Sequence, residues 1–343
     1  MDIKSLIFDL CIVGGVSGSE EPVNKLAQTY LKEFADVSVD CNGNLFAVLG
    51  NKNVDKTILL DAHSDRIGLM VTDINEDGFV KVDKCGGIDL RTLCNTKVVL
   101  QSNPDIKGVV CCMPPHLSDG NEDKAVPMDK VWVDFGMPCD EVKKYISFGD
   151  VLIFDTTPKM LLNNKITASA LDNRCSIAAF IKVAQLLNDC DNLKYKVVIL
   201  LSAQEETFGT GAKTGAFSVD ADEAIVVDVS FASQPDVSGY YGSVKLGGGP
   251  MICISPILNK SMSNKLVDIA KQNNIAYQLE PISSATGTNA DSISVCKGGV
   301  KTAVVSIPQK NMHTPAEIIS IDDVENTAKL IAQYIISGGA FNA

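Results

Sequence analysis

Positive charge is in short supply in this chain. Lys and Arg total 30 against 42 Asp and Glu, a net charge of −12 at pH 7. That balance argues against nucleic acid or an anionic membrane as a partner, since both need a basic surface. None of the 11 cysteines stands in C-x-x-C spacing, so nothing supports a zinc ribbon or a thioredoxin-type motif. Several lie in apolar runs, where a free thiol acts as a small core residue, as expected of a reduced cytoplasmic protein. No run approaches the roughly 18 apolar residues that a membrane span requires. Met1 to Val16 is apolar in places, but Asp9 and the Gly14-Gly15 pair interrupt it and no basic segment precedes it. That argues against a signal peptide. Internal repeats and low-complexity stretches are missing as well. Histidine is scarce too, with 3 in the whole chain: His63, His116 and His313.

What is present is an ordinary globular composition, 45% hydrophobic and 21% charged over 343 residues, enough for about two domains. Helix and strand patterns alternate over much of it. Apolar residues at Val23, Leu26, Ala27, Tyr30, Leu31 and Phe34 mark one face of a helix, with Ser19 as its candidate N-cap. Thr57 to Leu60 is a short strand running into Asp61-Ala62-His63. Ile177, Phe180, Ile181, Ala184 and Leu187 form another helical stripe. Lys196–Leu201, Ala224–Val227 and Lys301–Ile307 read as strands. A last helix starts near Ser320, where Asp323 supplies a variant of the capping box. From Leu69 to Ile166 the pattern changes to short β runs broken by turns, among them Phe79–Val82, Lys97–Leu100, Val131–Val133 and Val151–Phe154. The reading is an α/β domain of residues 1–68 and 167–343, with a small β-barrel-like domain of residues 69–166 inserted at an exposed loop. The Gly247-Gly248-Gly249-Pro250 segment suits either close backbone approach by a ligand or a plain turn.

Imidazole is the commonest side-chain ligand of catalytic divalent metals, so the positions of the histidines matter. His63 and His313 each follow a strand or its loop, where ligands collect in an open α/β sheet. His116 sits in a polar loop of the insert and reads as a surface residue. In His63-Ser64-Asp65, an extended segment turns residues i and i+2 the same way. Asp65 is thereby placed to accept the second ring N–H of His63 and fix its tautomer. Glu205 and Glu206 end an almost wholly apolar strand, which puts two adjacent carboxylates at the edge of a buried sheet. Such a pair is repulsive unless a cation or solvent relieves it. Asp228 ends the next strand in the same way. Asp172, in Ala170-Leu171-Asp172-Asn173-Arg174, begins the helix of residues 177–187. Taken singly, each has an ordinary explanation: a satisfied histidine, a solvated loop, an N-cap. Two histidines and three carboxylates at strand ends and a helix start together point to a metal centre.

In order along the chain, these motifs resemble the M42 metallo-aminopeptidases, the family of the glutamyl and tetrahedral aminopeptidases. The resemblance runs from Gly15–Gly18 through Ala62–Gly68, Ala170–Arg174 and Gln204-Glu205-Glu206 to Val227–Ala232, Thr286–Thr288, Ser306–Pro308 and His313-Thr314-Pro315. It implies an α/β fold, a mixed-sheet zinc-peptidase domain with an inserted small β domain that the family uses for subunit contacts in dodecamers. It also implies roles. His63 and Asp228 would hold one metal, Glu206 and His313 the other, with Asp172 bridging, Glu205 as general base and Asp65 supporting His63. Ser64 and Arg66 replace the usual Met and Glu, while Asn173 and Asn289 stand at usual Asp positions. None of these removes a ligand.

The expected chemistry is hydrolysis of the N-terminal residue from peptides with a free N-terminus. Two divalent ions about 3.5–4 Å apart share a water, and the resulting hydroxide attacks the scissile carbonyl. One imidazole per metal beside hard oxygen ligands suits zinc first, then cobalt or manganese. Two alternatives stay open at this point. One is a glycoside hydrolase, since some relatives carry glucanase labels. The other is a binuclear amidohydrolase acting on small N-acyl compounds.

Overall fold

The near-continuous apolar runs of the sequence become strands covered on both faces. The computed structural model describes residues 1–50, 54–117, 125–190, 193–235 and 237–340. Helices α1 (Ile3–Ile12) and α2 (Glu21–Leu31) precede strands β1 (Asp36–Val39), β2 (Leu45–Gly50) and β3 (Thr57–His63). A closed barrel follows, built from β4 (Gly68–Ile74), β5 (Val80–Cys85), β6 (Lys97–Leu100), β7 (Asn103–Val110), β8 (Trp132–Asp134) and β9 (Val151–Phe154). Helix α3 (Cys139–Tyr145) lies between the last two of these strands. The chain continues through β10 (Lys159–Leu161) and β11 (Lys165–Ala168) into α4 (Leu171–Asn188), β12 (Lys196–Ser202), α5 (Thr210–Val219) and β13 (Glu223–Phe231). Then come β14 (Met251–Ile254), α6 (Lys260–Gln272), β15 (Gln278–Pro281), α7 (Ala290–Ile293), β16 (Lys301–Gln309), β17 (Glu317–Ser320) and α8 (Ile321–Ile336). Among the described residues no helix is long and apolar enough to cross a membrane.

The main sheet runs β1-β2-β12-β3-β13-β16-β14-β15. It is mixed: β12, β3, β13 and β16 are parallel neighbours, whereas β2 joins β12 and β14 joins β16 antiparallel. Alternate side chains of a strand leave on opposite faces. Ile58 and Leu60, Val197 and Ile199, and Ile225 and Val227 pack with α1, α2, α4, α6 and α8. Leu59, Val198, Leu200, Ala224 and Val226 pack on the other face with Ala212 and Ala216 of α5 and Ala290 and Ile293 of α7. Two covered faces explain why these strands show no polar alternation. Each fully buried large aliphatic contributes about 1.5–3 kcal/mol. The same alternation continues past the core. His63 lies two residues beyond Asp61, and Asp228 two beyond Val226; Asp61 and Val226 are paired across β3 and β13. Both candidate ligands therefore leave the same face at the same level of the sheet's carboxyl edge.

Three local expectations change. Asp228 lies inside β13, which continues to Phe231, and does not end its strand. Ser19 does not cap α2: Glu20 holds that position, and its carboxylate accepts the N–H of Gly18 at 2.8 Å and of Gln204 at 3.1 Å. Asp323 forms no capping box with Ser320. It reaches across to accept the N–H groups of Gly247 and Gly249 at 2.8 and 2.7 Å. The glycine-rich segment is thus a turn clamped by α8. Gly249 has φ +91°, and a Cβ there would stand 2.0 Å from the Ala276 carbonyl oxygen, so only glycine fits. Asp323→Ala is expected to destabilise the fold by about 1–3 kcal/mol, because two donors lose a charged acceptor and one of them is buried. A urea midpoint unchanged from the parent protein would show that the clamp contributes nothing.

Candidate metal centre

Asp172 sits in the first turn of α4 with φ −76° and ψ 104°, outside the helical region, and Ala170 occupies the N-cap position without a side-chain cap. The Asp172–Asn173 peptide is cis. The backbone N–H of Asp172 donates to Glu317 Oε2 at 3.2 Å, and its carboxylate faces the sheet edge. Oδ1 lies 3.0 Å from His63 Nε2, and Oδ2 lies 3.3 Å from His313 Nε2. His63 Nε2 is also 3.6 Å from Asp228 Oδ1, and His313 Nε2 is 3.4 Å from Glu206 Oε2. Two sets of donors result, His63-Asp172-Asp228 and Asp172-Glu206-His313, each with its atoms within 4.8 Å of one another. Asp172 belongs to both. His116 lies apart from them on an exposed turn.

The loops behind these donors hold them by backbone contacts. His63 Nδ1 is 3.2 Å from the Asp65 carbonyl oxygen and 3.4 Å from its carboxylate. The Asp65 carboxylate accepts the N–H groups of Glu205 and Glu206, both at 3.0 Å, and the Ser17 hydroxyl. Asp65 therefore organises the Glu205–Glu206 turn as well as standing beside His63, a function that an alternation argument within one strand does not reveal. Glu317 is a further buried carboxylate that the motifs did not mark. Its oxygens accept the N–H groups of both Asp172 and His313, at 3.2 and 3.1 Å. The barrel contributes as well. The Gly87 carbonyl accepts from His313 Nδ1 at 3.0 Å, and a Cβ on Gly87 would come within 2.7 Å of that nitrogen. A Cβ on Gly86 would stand 3.1 Å from Glu206 Oε2. A Gly-Gly pair in the barrel is the only signal in the sequence for that close approach.

The electrostatics are those of too many carboxylates in one dry place. Burial raises the pKa of Glu206 well above its usual value, with Asp172 adding to the rise, and burial likewise raises Asp228. Burial opposes protonation of His313, yet Asp172, Glu206 and Glu317 lift its pKa to about 10. His63 behaves alike: burial works against it, and Asp172, Asp228 and Asp65 overcome that. Both imidazoles thus seek positive charge to share with the acids. Glu206 Oε1 is buried without a hydrogen-bond partner. Hard oxygens, an imidazole in each set and an unpaired buried carboxylate oxygen fit divalent cations, which relieve the repulsion that protons otherwise must.

The model of the M42 glutamyl aminopeptidase family matches residues 43–330. The chain belongs to the M42 aminopeptidase family. A putative aminopeptidase of Acetivibrio thermocellus is 34% identical over 340 residues, covering 97% of this M42 chain and 98% of that relative. A lysyl aminopeptidase of Pyrococcus furiosus is 33% identical over 323 residues, covering 92% of each. A dodecameric PhTET1 structure superposes with a TM-score of 0.86 at 29% identity, over 98% of this chain and 99% of that one. The mixed-sheet α/β fold with its barrel is the fold of these aminopeptidases. This M42 protein is therefore a peptide hydrolase acting at N-termini, and M42 peptidases are metal-dependent. A cavity of about 860 Å³ is lined by Phe231, Gln309, Met312 and Thr314, the last two being the chain neighbours of His313, and by Asp89 and Arg91 of the β4–β9 region. Another, of about 960 Å³, is lined by Glu20, Gln101 and Gln204 and by none of the candidate ligands.

Proposed function

We propose that the enzyme works with two divalent ions: His63 and Asp228 would hold one and Glu206 and His313 the other, with the Asp172 carboxylate common to both donor sets. The observation that carries this reading is the Asp172 carboxylate, whose two oxygens face two different imidazoles at 3.0 and 3.3 Å. The donor set suits zinc first, with cobalt or manganese as substitutes. When bound, such ions supply Lewis acidity, making water more acidic and drawing electrons from a peptide carbonyl. The protein's own groups do the rest. Glu205 takes the proton of the attacking water and delivers it to the leaving amine. Burial raises its pKa to about 8, with Asp228, Asp172 and Asp65 adding to that and His63 opposing it; cations bound to those neighbouring carboxylates would cancel their contribution and leave Glu205 ionised to accept the proton. Asp65 accepts the two successive N–H groups and so fixes the backbone that carries Glu205 and Glu206, of which only Glu206 shares a donor set with His313.

A glycoside hydrolase needs two carboxylates flanking a sugar bond and has no use for an imidazole in each donor set. An N-acyl amidohydrolase would use the same centre, and the substrate separates the two. Exhaustive chelation is expected to abolish hydrolysis of free peptides, and zinc, cobalt or manganese to restore it, with N-acetylated peptides resisting throughout. Full activity in a preparation shown metal-free by elemental analysis, or equal cleavage of blocked and free peptides, would contradict this reading.

We also propose that residues 1–68 and 167–343 form the catalytic domain and that the insert of residues 69–166 mediates assembly into a homo-oligomer, since the PhTET1 relative is a dodecamer. Free thiols throughout agree with a cytoplasmic setting.

A further inference from the structure

Behind the ligand-bearing segments lies a pair of arginines that the peptidase reading does not use. Arg66 follows Asp65, and Arg174 follows Asp172 by two residues; their exposures are 1% and 0%. Arg66 Nη2 donates to the Ser169 hydroxyl at 2.6 Å. Arg66 Nε and all three nitrogens of Arg174 have no acceptor in the protein. Among the described residues no carboxylate forms an ion pair with either guanidinium. Burial, then the charge of Arg66, lowers the Arg174 pKa, to about 9, and burial lowers that of Arg66; guanidiniums are nevertheless not deprotonated in proteins. Two like charges without partners in a dry interior are strongly unfavourable.

The protein's own anions nearby are committed elsewhere. Burial pushes the Cys11 thiol up to about 12 against the pull of both arginines, so it is neutral. Glu317 accepts from the Asp172 and His313 backbones, Asp65 from Ser17, Glu205 and Glu206, and Glu20 from Gly18 and Gln204, while Glu206, whose charge also reaches Arg66, faces His313 at 3.4 Å in the donor set it shares with Asp172. Gly15 links the two segments: its carbonyl accepts the Arg66 N–H at 3.0 Å, and a Cβ on it would stand 2.6 Å from Arg174 Nη2; with both arginines at 1% exposure or less, a counter-ion has to be small and compact. We propose that Arg66 and Arg174 together bind a small monovalent anion of chloride size, which neutralises the pair and braces the segments carrying His63 and Asp172.

The test is thermal unfolding of the metal-loaded protein in sodium chloride against sodium gluconate at equal ionic strength, together with a bromide-soaked crystal. The expected result is a saturable rise in Tm with chloride that gluconate does not give, and a bromide anomalous peak between the two guanidiniums. Arg66→Glu gives Arg174 a partner within the protein, so its Tm should no longer distinguish the salts. Equal Tm in both salts for the parent protein, a chloride response without a bromide peak at the pair, or a parent-like chloride response in Arg66→Glu would each overturn the proposal. Should the variant fail to fold, the Tm comparison and the bromide peak on the parent protein decide alone. None of these readouts is peptidase activity, so the result is independent of the two-metal reading.

Discussion

Asp172→Asn is expected to lose metal from both positions and to lower kcat/KM for a free dipeptide by ~10³-fold or more. The argument rests on what the substitution changes and what it leaves. Asparagine has nearly the same shape, so the first turn of α4 and the N–H contact with Glu317 at 3.2 Å remain possible. The two oxygens that face His63 and His313 become one oxygen and one amide nitrogen, and the nitrogen is a donor. Whichever way the amide turns, one donor set loses an acceptor, and both lose half of a shared negative charge. Metal chemistry of this kind contributes several kcal/mol to the transition state, and each 1.36 kcal/mol is about tenfold in rate. Elemental analysis and steady-state kinetics on the same preparation check it. Full metal content together with more than a tenth of the parent activity would remove Asp172 from the bridging position. His116→Ala is the natural control, because His116 lies on an exposed turn outside both donor sets.

The fold was legible wherever burial is two-sided. Lys196–Leu201 and Lys301–Ile307 are read from composition alone because both faces of their strands are covered, so nothing polar interrupts them. Strand ends were less visible. Asp228 interrupts an apolar run and looks like its end, but β13 continues to Phe231 because its pairing with β16 does not stop at a polar side chain. The two imidazoles and the carboxylates that face them were visible because they punctuate such runs. The support behind them was not. Glu317 meets Asp172 from 145 positions away, and Gly87 meets His313 from 226 away. A local pattern carries no information about such contacts. Asp323 shows the opposite failure: its spacing from Ser320 satisfies a capping rule, yet the stronger offer comes from two N–H groups of a distant glycine turn. Nothing in the sequence marks Arg66 and Arg174 as buried, and only the packing reveals it.

The neighbouring carboxylates Glu205 and Glu206 should separate cleanly in a paired experiment. Both backbones are fixed by one anchor, since Asp65 accepts the N–H of each at 3.0 Å, so neither substitution to Gln is expected to unravel the turn. Their side chains stand in different settings. Glu206 Oε2 is 3.4 Å from His313 Nε2 and shares a donor set with it and Asp172, whereas Glu205 belongs to neither set. Glu205→Gln keeps size and hydrogen bonding but removes the proton acceptor, a contribution of about 10²–10⁴ in rate. It should retain both metals and the parent's thermal stability while losing most of kcat. Glu206→Gln should instead empty the position shared with His313, and raising the metal concentration should recover part of the activity by mass action. Metal content and kcat therefore have to be read on both variants side by side. Should Glu205→Gln lose a metal while Glu206→Gln retains both, the roles of the two residues are the reverse of those assigned, and the proton acceptor is Glu206.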